Sequence, residues 1–188
     1  MRSLRLPEDF VSFDTEYTTW PGAKERKWGG PDEHREIVQI GAVRVFDLRE
    51  IGTFTCYVRP RLNPQLSPYF IKLTGISQET IDANGVDFIE AIERFKDWTL
   101  GLPLFSWGDD LGVISENALL LSIPLPIPRE RATDVRTIFD EHGIDTNLYH
   151  SSSIPRAFGE EPPPHAHDAL NDARSIVQGL CALRKRIA

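Results

Sequence analysis

The sequence predicts a single α/β domain built on a mixed β-sheet. Three observations carry this: three strand-like segments come first, helical and strand patterns then alternate, and no linker, repeat or low-complexity stretch divides the 188 residues. The length suits one domain. A composition of 40% hydrophobic, 10% aromatic and 26% charged residues is globular and supplies enough apolar material for a core.

The elements follow in order. Phe10-Val11-Ser12-Phe13-Asp14 reads as a strand running into a polar end. Residues 17–35 form a long connection broken by Pro21, Gly22, Gly29, Gly30 and Pro31. Glu36 to Phe46 and Ile51 to Val58 are strands rich in β-branched and aromatic residues, and the short link Asp47 to Glu50 makes them an antiparallel hairpin. A proline-punctuated segment, Pro60 to Pro68, leads into helical sequence, and Ser77-Gln78-Glu79-Thr80 is a helix start. Asp87 to Trp98 places Phe88, Ile89, Ala91, Ile92 and Phe95 at helical spacing. Leu102 to Ser106 is a short buried strand and Asp110 to Leu121 a helix, stopped by Pro124, Pro126 and Pro128. Ala132 to Val135 is a last strand and Arg136 to His142 a helix. After a loop holding Pro162-Pro163-Pro164, a final helix runs from about Asp168 to Arg186 on a stripe of Leu170, Ala173, Val177, Leu180 and Leu183. Arg184-Lys185-Arg186 reads as a favourable helix C-terminus.

No apolar run approaches a membrane span. Met1 to Leu6 carries two arginines without the apolar stretch of a leader, so the expected location is cytoplasmic. Cys56 and Cys181 lack CxxC or zinc-ligand spacing and read as two separate thiols rather than a disulfide. A net charge of −7 argues against a protein coating long nucleic acid, which needs a basic face. An enzyme gripping a few nucleotides at a chain end remains compatible, because divalent ions held by acids would turn an acidic cleft into a phosphate site.

Three segments carry the chemistry. In Asp14-Thr15-Glu16, residues two apart on an extended chain share a face, so two carboxylates can converge on one divalent ion. Alone, an exposed acidic strand end is the simpler reading. Ser106-Trp107-Gly108-Asp109-Asp110 brings acids from a strand end into a helix, where capping is the simpler role. In His167-Asp168-Ala169-Leu170-Asn171-Asp172, Asp168 is a natural N-cap. Asp172 then stands rigid in the first turns, and His167 lies on the preceding loop, titrating near neutrality as a general base must. Alone, an acidic helix start with an exposed histidine explains it.

Together the segments resemble the three motifs of the DnaQ-like superfamily of DEDDh 3′–5′ exonucleases. The first matches as Phe13-Asp14-Thr15-Glu16-Tyr17-Thr18, the third as His167 through Asp172 followed by Ala173. Glu36-Ile37-Val38-Gln39-Ile40-Gly41-Ala42-Val43 resembles the family's second strand, and Leu73-Thr74-Gly75-Ile76 another of its stretches. The resemblance covers nearly the whole chain. In the second motif Asp109 and Asp110 compete. Asp110 fits better, since Leu111, Val113 and Ile114 then continue the helix in the family pattern, and Asp109 stays open as the alternative.

The resemblance implies a ribonuclease H-like mixed sheet flanked by helices, one exonuclease domain over 1–188. It implies that Asp14, Glu16, Asp110 and Asp172 hold two magnesium or manganese ions, with Asp14 touching both, and that His167 takes a proton from the attacking water. The substrate would be single-stranded nucleic acid with a free 3′ end, and the products nucleoside 5′-monophosphates. Thr15, Tyr17, Leu73, Thr74 and Ile76 would meet the 3′ nucleotide, with core packing an equal role for Leu73 and Ile76. The 17–35 loop holds Trp20, Lys24, Arg26, Lys27, Trp28 and Arg35. These suit stacking and phosphate contact with a single strand, or two tryptophans anchoring a solvated loop. A non-catalytic scaffold on the same fold and a hydrolase of dinucleotides are the competing functions.

Overall fold

The computed structural model describes Leu4 and residues 6–187. The arginine-bearing start, read above as lacking a leader, lies mostly outside the described residues. The strands are β1 (Asp9–Tyr17), β2 (Ile37–Phe46), β3 (Arg49–Tyr57), β4 (Leu104–Ser106) and β5 (Ala132–Asp134). They form one sheet in the order β3-β2-β1-β4-β5. The β1–β2 and β2–β3 pairs are antiparallel, whereas β1–β4 and β4–β5 are parallel. The mixed sheet expected from the element order is thus present, with the first motif on its central strand.

The helices are α1 (Pro68–Thr74), α2 (Gln78–Asn84), α3 (Phe88–Trp98), α4 (Asp110–Leu120), α5 (Arg136–Glu141) and α6 (Ala169–Ile187). Local capping explains several starts. Ser67, Ser77, Asp87 and Asp109 each accept a backbone N–H from the first turn that follows, each worth about 1 kcal/mol. Helix α4 ends before the prolines, at Leu120, and Ser122 turns the chain with φ 56. The β2–β3 link is tighter than expected, two residues with Asp47 and Leu48 both left-handed, as a two-residue hairpin requires. Leucine is unusual there, and its buried side chain holds it.

Alternation along β1 sorts the two faces. Val11 and Phe13 enter a core with α3 and α4, where Phe88, Ala91, Ile92 and Phe95 line one helical stripe. Phe10 enters the opposite core with α5 and α6, and the Ser12 hydroxyl on that face donates to the Ala173 carbonyl at 3.0 Å. Asp14 and Glu16, in phase with Phe10 and Ser12, therefore face α6. Of the expected α6 stripe, Ala173, Val177, Leu180 and Leu183 are buried, while Leu170 is half-buried. Residues 151–158, carrying no periodicity the sequence reading could use, form a 3-10 helix packed on α6. Cys56 and Cys181 are free thiols. Among the described residues, no helix is long and apolar enough to cross a membrane.

Candidate active site

The site forms where the C-terminal ends of β1, β4 and β5 meet the start of α6. Asp14, Glu16, Asp110 and Asp172 are all buried, between 3% and 8% exposed. Ligand atoms of Glu16, Asp172 and His167 lie within 4.8 Å of one another. Asp14 interacts electrostatically with Asp110, Asp172 and Glu16. The structure therefore brings together all five residues of the motif reading.

The two aspartates of the second motif part ways. Strand β4 pairs with β1 only as far as Ser12–Phe105, which leaves the edge of β1 at Thr15 open. Asp110 Oδ1 fills that gap, accepting the Thr15 backbone N–H at 3.1 Å and its hydroxyl at 2.6 Å. Asp109 is exposed. It caps α4 by accepting the Gly112 N–H at 2.9 Å and pairs with Arg129 at 3.1 Å. The Thr15 side chain consequently supports Asp110 on the far face of β1 from Asp14 and Glu16.

Burial and mutual repulsion act on the whole set. Burial first, then the neighbouring carboxylates, push Asp14 and Glu16 well above the ordinary range. Burial raises Asp110 to about 7 against the hydrogen bonds from Thr15, and raises Asp172 to about 7 against the Ser151 hydroxyl, 3.2 Å from its Oδ2. Four buried oxygen donors with so few protein donors facing them are the ligand chemistry of a hard divalent cation, which would reverse these shifts. The residues fit such a metal. His167 moves the other way: burial, then repulsion from His150, lower its pKa from the ordinary value, which favours the neutral ring.

Residues that sequence reasoning did not single out hold this arrangement. Gln39, fully buried, donates from Nε2 to Asp168 Oδ2 and accepts the Ala169 N–H at its Oε1, both at 3.0 Å. It clamps the turn between His167 and Asp172 to β2. Asp168 Oδ1 also accepts the Asn171 N–H at 3.0 Å, as an N-cap should. Gly41, paired with Asp14, lets the first turn of α6 approach the sheet. Both residues fell within the Glu36–Val43 match, and that match was the available sequence signal. Glu36, expected as the first residue of its strand, lies just before β2 and has another role: its carboxylate accepts the N–H groups of Arg61, Leu62 and Asn63.

The expected substrate contacts are distributed. Thr74 and Ile76 border a cavity of about 280 Å³ with Tyr57, Gly75, Asp168 and Asn171. Ile76 is also core, packed with Phe70 and Ile81, whereas Leu73 is half-buried. Tyr17 meets Trp28 edge-on at 5.5 Å, and Arg35 lies over both rings at 5.7 and 5.1 Å. Trp28 thus anchors the 17–35 loop, while Lys24 and Lys27 stay exposed.

The family RNase_T, described as Exonuclease, matches residues 11–180. The chain belongs to this exonuclease family. It is a 3′–5′ exonuclease of the DnaQ-like superfamily. The exonuclease is 26% identical over 144 residues to the probable 3′-5′ exonuclease KapD of Bacillus subtilis (strain 168), a match covering 73% of this chain and 68% of that one. It is 27% identical over 155 residues to the 3′-5′ DNA exonuclease Cap18 of Escherichia coli, covering 73% and 76%. Its fold superposes on the nuclease domain of 3′hExo, a DEDDh family member bound to rAMP, with a TM-score of 0.80 at 23% identity, covering 96% and 92%. The ribonuclease H-like sheet flanked by helices is this shared fold.

Proposed function

We propose that the exonuclease removes nucleotides singly from a free 3′ end, using Asp14, Glu16, Asp110 and Asp172 to hold two magnesium or manganese ions and His167 as general base. The observation that carries this reading is the Thr15–Asp110 contact. It seats the second-motif acid against the strand that bears the first, on a sheet edge where α6 supplies the third motif.

When bound, the ions would supply positive charge at the scissile phosphate and lower the pKa of the attacking water. The chain's own groups do the rest. His167, whose neutral form burial favours, accepts the proton of that water. The water oxygen bonds to phosphorus, the bond to the 3′ oxygen of the penultimate nucleotide breaks, that oxygen takes a proton from solvent to become the new 3′ hydroxyl, and a nucleoside 5′-monophosphate leaves. Thr15 and Ser151 orient Asp110 and Asp172, and Gln39 holds the turn beside His167. The cavity at Thr74–Ile76 receives the terminal nucleoside. Single strands suit the site best, because the aromatic and basic 17–35 loop joins β1 immediately after Glu16. Residues 1–188 act as one catalytic domain.

A panel of 3′-labelled single strands, duplexes and dinucleotides, in DNA and RNA, tests the proposal. Mononucleotides should appear from the 3′ end, and circular single strands should survive. Digestion of circles at the linear rate would replace the exonuclease reading with an endonuclease, and inactivity on every substrate would favour a scaffold.

A further inference from the structure

The acid cluster has a cavity on one side and a fixed cation on the other. The cavity at Tyr57, Thr74 and Ile76 lies toward β2 and β3. Arg136 stands toward β4 and β5, at the same sheet edge and on the α6 face, where α5 begins. Its Nε donates to both oxygens of Asp134, at 3.0 and 2.9 Å, and its Nη2 to Oδ2 at 2.6 Å. Asp134 Oδ1 further accepts the backbone N–H groups of Gly108 and Arg136, each at 3.0 Å. Both ends of the pair are therefore fixed, and the guanidinium is held in one plane. Among the described residues, Nη1 has no hydrogen-bond partner, and the side chain is 44% exposed. Gly108 passes beside it with φ 94, and a Cβ there would lie 3.4 Å from Nη2. The negative charge of Asp110 acts on Arg136, and that of Asp134 acts on Asp110, which ties the pair to the cluster.

A strand whose terminal nucleoside fills the cavity crosses the acids with its scissile phosphate. The next phosphate must then leave on the opposite side, toward β4 and β5. We infer that Arg136 binds this phosphate, the one immediately 5′ of the penultimate nucleoside, through the free Nη1 edge of its fork. Arginine suits the task because its planar donors can serve a carboxylate on one edge and a phosphate on another. In a dinucleotide the same contact falls on the 5′-phosphate, so Arg136 sets a preference for 5′-phosphorylated dinucleotides over those ending in a hydroxyl. The inference rests on the proposed 3′–5′ reading, with the terminal nucleoside at Thr74–Ile76.

The test compares kcat/KM for pdAdA and dAdA at saturating magnesium, in the full-length wild type, Arg136→Gln and Arg129→Gln. Wild type should favour pdAdA, and Arg136→Gln should cut that ratio by about 10–100-fold, the scale of one charge-assisted hydrogen bond. Arg129→Gln removes a neighbouring exposed cation paired with Asp109 and should keep the ratio. On longer single strands, the slope of log(kcat/KM) against log salt should shrink in Arg136→Gln by about 0.7, one phosphate contact. If Arg136→Gln does not fold, Arg136→Lys carries the comparison: it keeps the charge, loses the fork and should lose several-fold of the ratio. A wild type without preference, a ratio unchanged in the Arg136 variant that folds, or an equal loss in Arg129→Gln overturns the inference. A wild type that cuts no 3′ end overturns the exonuclease reading instead, which separates the two failures.

Discussion

The α-carbon of Gly41 faces the backbone of Leu170 so closely that a methyl group placed there would lie 2.1 Å from the Leu170 nitrogen. Gly41 is the β2 partner of Asp14. A close approach of α6 to the sheet therefore falls beside the acid cluster, and backbone rather than side chain sets it. Gly41→Ala should push the start of α6 away, carrying His167 and Asp172 with it. The expected destabilisation is about 1–3 kcal/mol, as for other overpacked sites, measured by urea denaturation, with a larger proportional loss of kcat. A variant with wild-type stability and rate would show that the α6 start tolerates the shift.

The two aspartates of the second motif should separate cleanly. Asp109→Asn keeps a good capping side chain and removes only an exposed pair with Arg129, so stability should change by about 0.5 kcal/mol or less and activity should persist. Asp110→Asn replaces one of the four buried acids and should abolish turnover while weakening magnesium binding, read by calorimetry. Activity lost in Asp109→Asn and kept in Asp110→Asn would reverse the assignment.

His167 lies close enough to Glu16 and Asp172 to be a ligand as well as a base. Read as a base, His167→Ala should lower kcat by about 10²–10⁴-fold with magnesium affinity little changed, whereas Asp172→Asn should lower both. The base works when neutral, so wild-type activity should rise with pH through a midpoint below 6.5, the direction in which burial and His150 move it. That rise should vanish in His167→Ala. Lost metal affinity in His167→Ala would make it a ligand.

Metal-free protein should be more stable in acid than at neutrality. Asp110 and Asp172 titrate at about 7 when folded, against 3.8 for an ordinary aspartate. Between those values the folded state holds protons that the unfolded state has released, so stability falls as pH rises from about 4 to 7. Protonation at low pH relieves the buried repulsion, and a bound cation does the same at high pH. In EDTA, Tm should fall from pH 5 to pH 8, and added magnesium should raise Tm more at pH 8 than at pH 5. Equal magnesium effects at both pH values would mean that the cluster is not what the ion stabilises.

The sequence by itself determined what depends on neighbours a few residues apart. The strand at Phe10 to Asp14, the stripe of Phe88, Ala91, Ile92 and Phe95, and the helix start at Ser77 all express period or local hydrogen bonding, and each is found in the structure. The motif acids were legible in a different way: each short spacing alone has a simpler reading, and Asp14, Glu16, His167 and Asp172 gained their meaning from the family resemblance of the three segments together. Tertiary structure alone decided the rest. The sequence favoured Asp110 and left Asp109 open, and the two part because α4 docks with Asp110 against the unpaired edge of β1 at Thr15. Gln39 meets Ala169 across 130 positions, Ser151 meets Asp172 across 21, and Gly108 reaches Asp134 across 26. No local pattern signals such partners, because their energies arise when the sheet brings distant backbone and side-chain groups to one edge.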